Sequence, residues 1–132
     1  MTGVAGRTAR WWHAAGDDRV ACELCPVACT LAPGRDGPCG TRGNRDGTMV
    51  ALHHGEIVAA GVDPIEKKPL YHFHPGRGIL SVAAPGCNLH CAFCQNWQIS
   101  QPAAPGAAQR TTRTSAGELA DAAERAGAVG IA

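Results

Sequence analysis

Long apolar runs, excess charge of either sign and aromatic side chains are all scarce in this chain of 132 residues. No apolar stretch approaches the roughly 20 residues that a membrane-crossing helix needs. The formal net charge is +1, so no broad field draws the chain to nucleic acid or to a membrane surface. Lysine is limited to Lys67 and Lys68 against ten arginines, which reads as coding bias rather than recognition. Aromatics make up 5% of the residues. Arg7 and Arg10 near the start are not followed by an unbroken apolar core, so no secretory leader is read there. There is no internal repeat.

Glycine and cysteine are abundant instead. With 17 Gly and 9 Pro, loops and turns are expected to dominate. Seven cysteines are many for this length, and their odd number argues against a closed disulfide framework. A reducing, cytoplasmic setting is therefore expected, where clustered thiols more often serve as metal ligands.

Three segments are expected: a tail or short helix over 1–18 docked by Trp11 and Trp12, a cysteine-rich module with a hairpin and linker over 19–76, and a β/α segment over 77–132. The hairpin is read from the apolar stretches 49–52 and 56–62 about His53-His54-Gly55. Asp63-Pro64 ends its second strand. The run 78–84 (GILSVAA) suits a buried strand of a parallel sheet. A loop is expected over 101–113. Ser115 and Glu118 form a capping box that opens a helix. Leu119, Ala122, Ala123 and Ala126 give it one apolar face, with Gly127 as its C′ residue. A further buried strand begins at Ala128. One β/α unit does not close a barrel, so the chain is expected to be the front part of a longer protein or a truncated product.

The most specific pattern is Cys87-x3-Cys91-x2-Cys94. Three thiolates on one loop can hold three corners of a four-iron cube and leave one iron free, and cluster reactivity follows such ligation. A free iron can chelate the amino and carboxylate groups of S-adenosylmethionine (SAM). An electron delivered to the sulfonium then yields a 5′-deoxyadenosyl radical that abstracts hydrogen; the difficult chemistry belongs to the cofactor. The competing readings of these cysteines are a structural zinc knuckle or buried thiols.

With Phe93 just before the last cysteine, this run resembles the signature of the radical SAM superfamily. Further motifs resemble one subgroup, the AmmeMemoRadiSam system radical SAM enzymes, which are similar to pyruvate formate-lyase activating enzymes. They are Cys22-x2-Cys25-Pro26-x2-Cys29, Gly37-Pro38-Cys39-Gly40, Ile65-Glu66-Lys67-Lys68-Pro69-Leu70-Tyr71-His72-Phe73 and Cys94-Gln95-Asn96-Trp97. The resemblance implies a [4Fe–4S] cluster on Cys87, Cys91 and Cys94, SAM as cofactor and Phe93 near the adenine. It also implies an α/β fold, a partial (β/α) barrel preceded by the cysteine-rich module. An oxidoreductase is implied that takes electrons from reduced flavodoxin or ferredoxin and acts on an unidentified substrate, a protein among the possibilities. Rival classes are an iron–sulfur electron carrier and a zinc-stabilised binding module.

Cys22, Cys25, Cys29 and Cys39 form C-x2-C-x3-C-x9-C. Four thiolates suit a closed zinc site or a second iron–sulfur cluster. Arg35, Arg42 and Arg45 interleave with Asp36 and Asp46, which reads as a solvated mixed face. His72 and His74 read as a polar rim, His53-His54 as a turn, His90 as a bystander in the cysteine loop, Lys67-Lys68 as a solvated pair and Trp97 as packing.

Overall fold

Aspartate followed by glycine is the strongest local turn signal in the chain. In the computed structural model, which describes residues 6–101 and 110–132, Asp46 and Gly47 both have positive φ, 51° and 77°. They close a two-residue hairpin between β5 (Arg42–Arg45) and β6 (Thr48–Ala51), with Arg45 paired to Thr48. Positive φ at both central positions matches the right-handed twist of the strands it joins.

The chain divides into two units. The first draws on Met1–His54 and Pro85–Gln109. Its sheets are a three-stranded one in which β6 lies between β1 (Arg7–Thr8) and β5, and another built from β2 (Trp12–Ala14), β3 (Val20–Cys22) and β4 (Thr30–Leu31). Every pairing in both is antiparallel. Val20 and Cys22 alternate inward along β3 and meet Leu31 and Met49, with Ala9, Trp12 and Cys29 packed against them. Asn44 is fully buried. It donates to the carbonyls of Asp18 (2.7 Å) and Leu31 (2.9 Å) and accepts from the N–H of Gly47 at 2.9 Å. Both its donors are used to tie β5 to Asp18 and Leu31, and its oxygen holds the turn at Gly47. A single helical turn, α1 (Trp97–Ser100), completes this unit.

The second unit comprises Gly55–Ala84 and Arg110–Ala132. β7 (Glu56–Ile57) pairs with β10 (Thr112–Arg113). Between them in sequence, β8 (Ala59–Pro64) runs antiparallel to β9 (Gly78–Ala83) over six residues, joined through a 3-10 turn at Ile65–Lys67. Helix α2 (Ala116–Arg125) starts from the expected capping box: Ser115 Oγ accepts from the N–H of Glu118 and the Glu118 carboxylate accepts from the N–H of Ser115. Gly127 follows at φ 62°, in the left-handed region that a C′ residue takes. Ala123, on the expected apolar face, is buried.

The expected start of a partial (β/α) barrel is overturned. The sheets are small and mostly antiparallel, and helices are few. β9 forms where the apolar run placed it, but β8 occupies one of its edges along the whole strand. Residues 129–132 lie parallel to β9 through the bridge Leu80 to Ile131 and four backbone hydrogen bonds, as the expected further strand would. An apolar run reports burial and does not distinguish the direction of the neighbouring strand.

Three local expectations change as well. Residues 7–8 and 12–14 are strands rather than a tail or helix, because β6 and β3 offer them free edges. The stretch 49–52 pairs with β5, not with 56–62, since the Asp46-Gly47 turn supplies a nearer partner. Of the loop expected over 101–113, residues 102–109 lie outside the described residues and Thr112–Arg113 is a strand.

Candidate metal centre

Strand β3 ends on Cys22, whose N–H donates to the carbonyl of Cys29 at 2.8 Å. The intervening residues form a small loop with Cys25 near its tip. Its return is shaped by Ala28 at φ 48° and by the bond from the N–H of Ala28 to the carbonyl of Cys25 at 3.1 Å. Cys39 sits on a turn closed by the N–H of Gly40 to the carbonyl of Gly37 at 2.9 Å. Its sulfur lies 3.2 Å from Thr41 Oγ1.

The Cys87–Cys94 loop belongs to this same unit. The N–H of Cys87 donates to the carbonyl of Cys39 at 3.1 Å. Gly86 makes that approach possible: its φ is 92°, and a Cβ there would stand 2.6 Å from the Cys39 carbonyl oxygen. Two further bonds brace the loop, from the N–H of Gly86 to the Ile99 carbonyl at 2.8 Å and from Gln101 Nε2 to the Leu89 carbonyl at 2.9 Å.

A cavity of about 650 Å³ opens here, lined by Cys22, Cys25, Cys29, Cys39, Cys87 and Arg42 among others. Five of the seven cysteines thus face one space. Burial pushes the Cys29 thiol above its ordinary pKa, and the neighbouring Cys22, Cys25 and Cys39 add to the rise electrostatically. All seven cysteines are free thiols.

Arg42, expected on a solvated face, is buried with 5% of its surface exposed. Its Nη1 donates to Cys22 Sγ at 2.9 Å and to the Trp11 carbonyl at 3.3 Å, and its Nη2 donates to the Arg10 carbonyl. The β5 pleat turns it inward, whereas Arg45 stays outside and pairs with Asp36 at 2.7 Å. No carboxylate pairs with Arg42 among the described residues. Charge interleaving in the sequence gave no signal for this; the position of Arg42 on the strand was the only available one.

The three loop cysteines differ in setting. Cys87 lines the cavity, and its sulfur accepts from the N–H of Leu89 at 3.4 Å. Cys94 Sγ lies 3.4 Å from Ser100 Oγ, and its N–H donates to the Cys91 carbonyl at 3.1 Å. Cys91 is exposed. Phe93 is 87% exposed on the same loop. Among the described residues, no three His, Cys, Asp or Glu side chains are grouped at metal-ligand spacing. Neither cysteine set is therefore drawn together around a point in this structure.

The weaker signals resolve simply. Lys67 Nζ pairs with Asp63 at 2.7 Å, and Lys68 lies 3.9 Å from the same carboxylate. His72 and His74 are exposed, with the His74 ring edge-on to Phe73 at 4.4 Å between centroids. His90 lines the cysteine cavity. Trp97 is 42% exposed, so its packing is partial.

No protein-family model matches the chain, and no solved structure matches it. A curated relative, an uncharacterized protein of Methanocaldococcus jannaschii, is 42% identical over 95 residues. The match takes in 72% of this chain and 28% of the relative. The chain thus spans well under half the length of that protein. No helix among the described residues is long and apolar enough to cross a membrane.

Proposed function

We propose that this chain carries the cluster loop of a radical SAM enzyme, with Cys87, Cys91 and Cys94 as ligands of a [4Fe–4S] cluster. The observation that carries the reading is the C-x3-C-x2-C loop itself: three free thiols within eight residues and no fourth cysteine in the segment 85–101. The donor set fits such a cluster, because thiolates are its ligands and a three-thiol set leaves one iron for SAM. When bound, the cluster supplies the electron that breaks a carbon–sulfur bond of the sulfonium.

The chain's own residues prepare this loop. The Leu89 N–H donates to the Cys87 sulfur at 3.4 Å, which orients that side chain within the loop. Gly86 and Gln101 tether the two sides of the loop to α1 and to the Leu89 carbonyl. Phe93 presents an open aromatic face suited to stacking on adenine. Free thiols suit a reducing, cytoplasmic compartment with flavodoxin or ferredoxin as electron donor. The substrate belongs to the whole enzyme, and a protein substrate is compatible with the resemblance to activating enzymes.

Anaerobic reconstitution with iron and sulfide tests the reading. The expected result is a cluster whose electron paramagnetic resonance spectrum changes on adding SAM. The Cys91→Ala variant is expected to lose it. A reducible cluster indifferent to SAM would make the chain an electron carrier instead, and a colourless zinc protein would make it a binding module.

A further inference from the structure

Beyond the cluster loop, the structure assigns a second metal centre: we propose that Cys22, Cys25, Cys29 and Cys39 hold a closed tetrathiolate centre that anchors the Cys87 loop through Cys39. The shared chemistry is a thiophilic centre, either one Zn²⁺ or an iron–sulfur cluster, with no coordination position left for substrate.

Two independent observations converge on it. All four sulfur-bearing residues line one cavity, and backbone bonds fix their loops: Cys22 and Cys29 bond across the neck of one, and Cys39 lies on its own turn. The second observation is Arg42. A guanidinium that is 5% exposed, with backbone carbonyls and one sulfur as its partners, needs a negative charge nearby. Four thiolates around a divalent ion carry two net negative charges, and Arg42 at 2.9 Å from Cys22 Sγ offsets part of them. The sulfurs are not at ligand spacing here. Closure therefore needs side-chain rotation, and Cys25, Cys29 and Cys39, each only partly buried, have room in the cavity to rotate.

The link to the other loop is a single backbone hydrogen bond. Cys39 provides a ligand through its side chain and accepts the Cys87 N–H through its carbonyl. Fixing the sulfur restrains the carbonyl, and with it the first residue of the C-x3-C-x2-C run. This centre is thus a structural support for that loop, and it stands even if the loop carries no SAM chemistry.

The test uses the full chain with Cys87, Cys91 and Cys94 all changed to Ala, so that metal on the cluster loop cannot contribute. Purified under reducing conditions, it is expected to contain one equivalent of zinc, or iron with matching sulfide, by mass spectrometry of metals; the two analyses separate the sources. Replacing zinc with Co²⁺ is expected to give the intense sulfur-to-cobalt absorption of a tetrathiolate. Cys29→Ser in the same background is expected to weaken metal retention at least tenfold against a chelator. In the same triple variant, whose residue 87 keeps its backbone N–H, hydrogen exchange at that amide is expected to slow when zinc alone is added. Absence of bound metal after exposure to zinc and to iron with sulfide, or a cobalt spectrum without thiolate bands, overturns the centre. Unchanged exchange at the residue 87 amide of that variant overturns the anchoring.

Discussion

The backbone N–H of Cys87 donates to the carbonyl of Cys39 at 3.1 Å, which joins two cysteine groups with 47 residues between them in the chain. The contact depends on the missing side chain at Gly86. Gly86→Ala would place a methyl group against the Cys39 carbonyl and the Thr41 methyl, at a φ of 92° that alanine avoids. The expected cost is roughly 1–3 kcal/mol. Chemical denaturation under reductant measures it, and an unchanged midpoint would refute the close approach.

Arg42 holds three acceptors at once. Replacing it by Met leaves the Arg10 carbonyl and the Cys22 sulfur without their donor, while the Trp11 carbonyl keeps the Glu23 N–H at 2.9 Å. Unsatisfied buried groups of this kind cost about 1–3 kcal/mol. Arg42→Lys is expected to recover little, because a compact ammonium does not reproduce the fork of a guanidinium. Urea denaturation of the two variants side by side checks the ordering: rescue by Lys would mean that charge alone matters.

Met49 is fully buried in a core of four residues. With so few partners, Met49→Ala is expected to lose about 2–5 kcal/mol, a large part of a typical domain's stability. Loss of amide protection in β5 and β6, read by hydrogen exchange, is the expected signature. Retained protection there would place the stabilising contacts elsewhere.

Acid is expected to weaken the second unit. The Glu118 carboxyl is held below its ordinary value of 4.5 by the Ser115 N–H and hydroxyl, and Glu66 likewise by the Gly76 N–H. Asp63 is lowered from 3.8, first by its hydrogen bond from Lys67 and then by that from Ser81. A carboxylate whose folded pKa is depressed contributes stability above the unfolded value, and that contribution fades as pH falls through the folded one. Amide exchange in α2 should therefore accelerate as pH drops below about 4.5, after correction for intrinsic rates. Ser115→Ala is expected to cost about 1 kcal/mol at neutral pH, and Glu118→Gln, which removes the titrating carboxylate of the capping box, is expected to flatten the acid dependence. A variant as acid-sensitive as the parent would rule out the capping box as its source.

Local signals read well from the residues. The capping box, the C′ glycine, the extent of β9 and the end of β8 at Pro64 each depend on neighbours a few positions away. Pairing did not read as well. The Asp46-Gly47 turn was present as a signal, but the apolar content of 49–52 and 56–62 drew attention to a hairpin one loop further on. The parallel setting expected for β9 is met on one edge only, by residues 129–132, because burial of Ile79 and Leu80 is the same whichever way the other adjoining strand runs. Arg42 was hidden because its charge is typical of a surface and only its partners, Arg10, Trp11 and Cys22, make its burial tolerable.

Cysteine number, spacing and the choice of three against four thiols are properties of the sequence alone, and they specify what metal chemistry the chain can support. That Cys87 shares a cavity with the four N-terminal cysteines was decided by tertiary structure. The reason is physical: ligand spacing along a loop is set by covalent geometry, whereas the meeting of distant loops depends on a backbone bond, an unsubstituted glycine and a buried guanidinium that act together only in the folded chain.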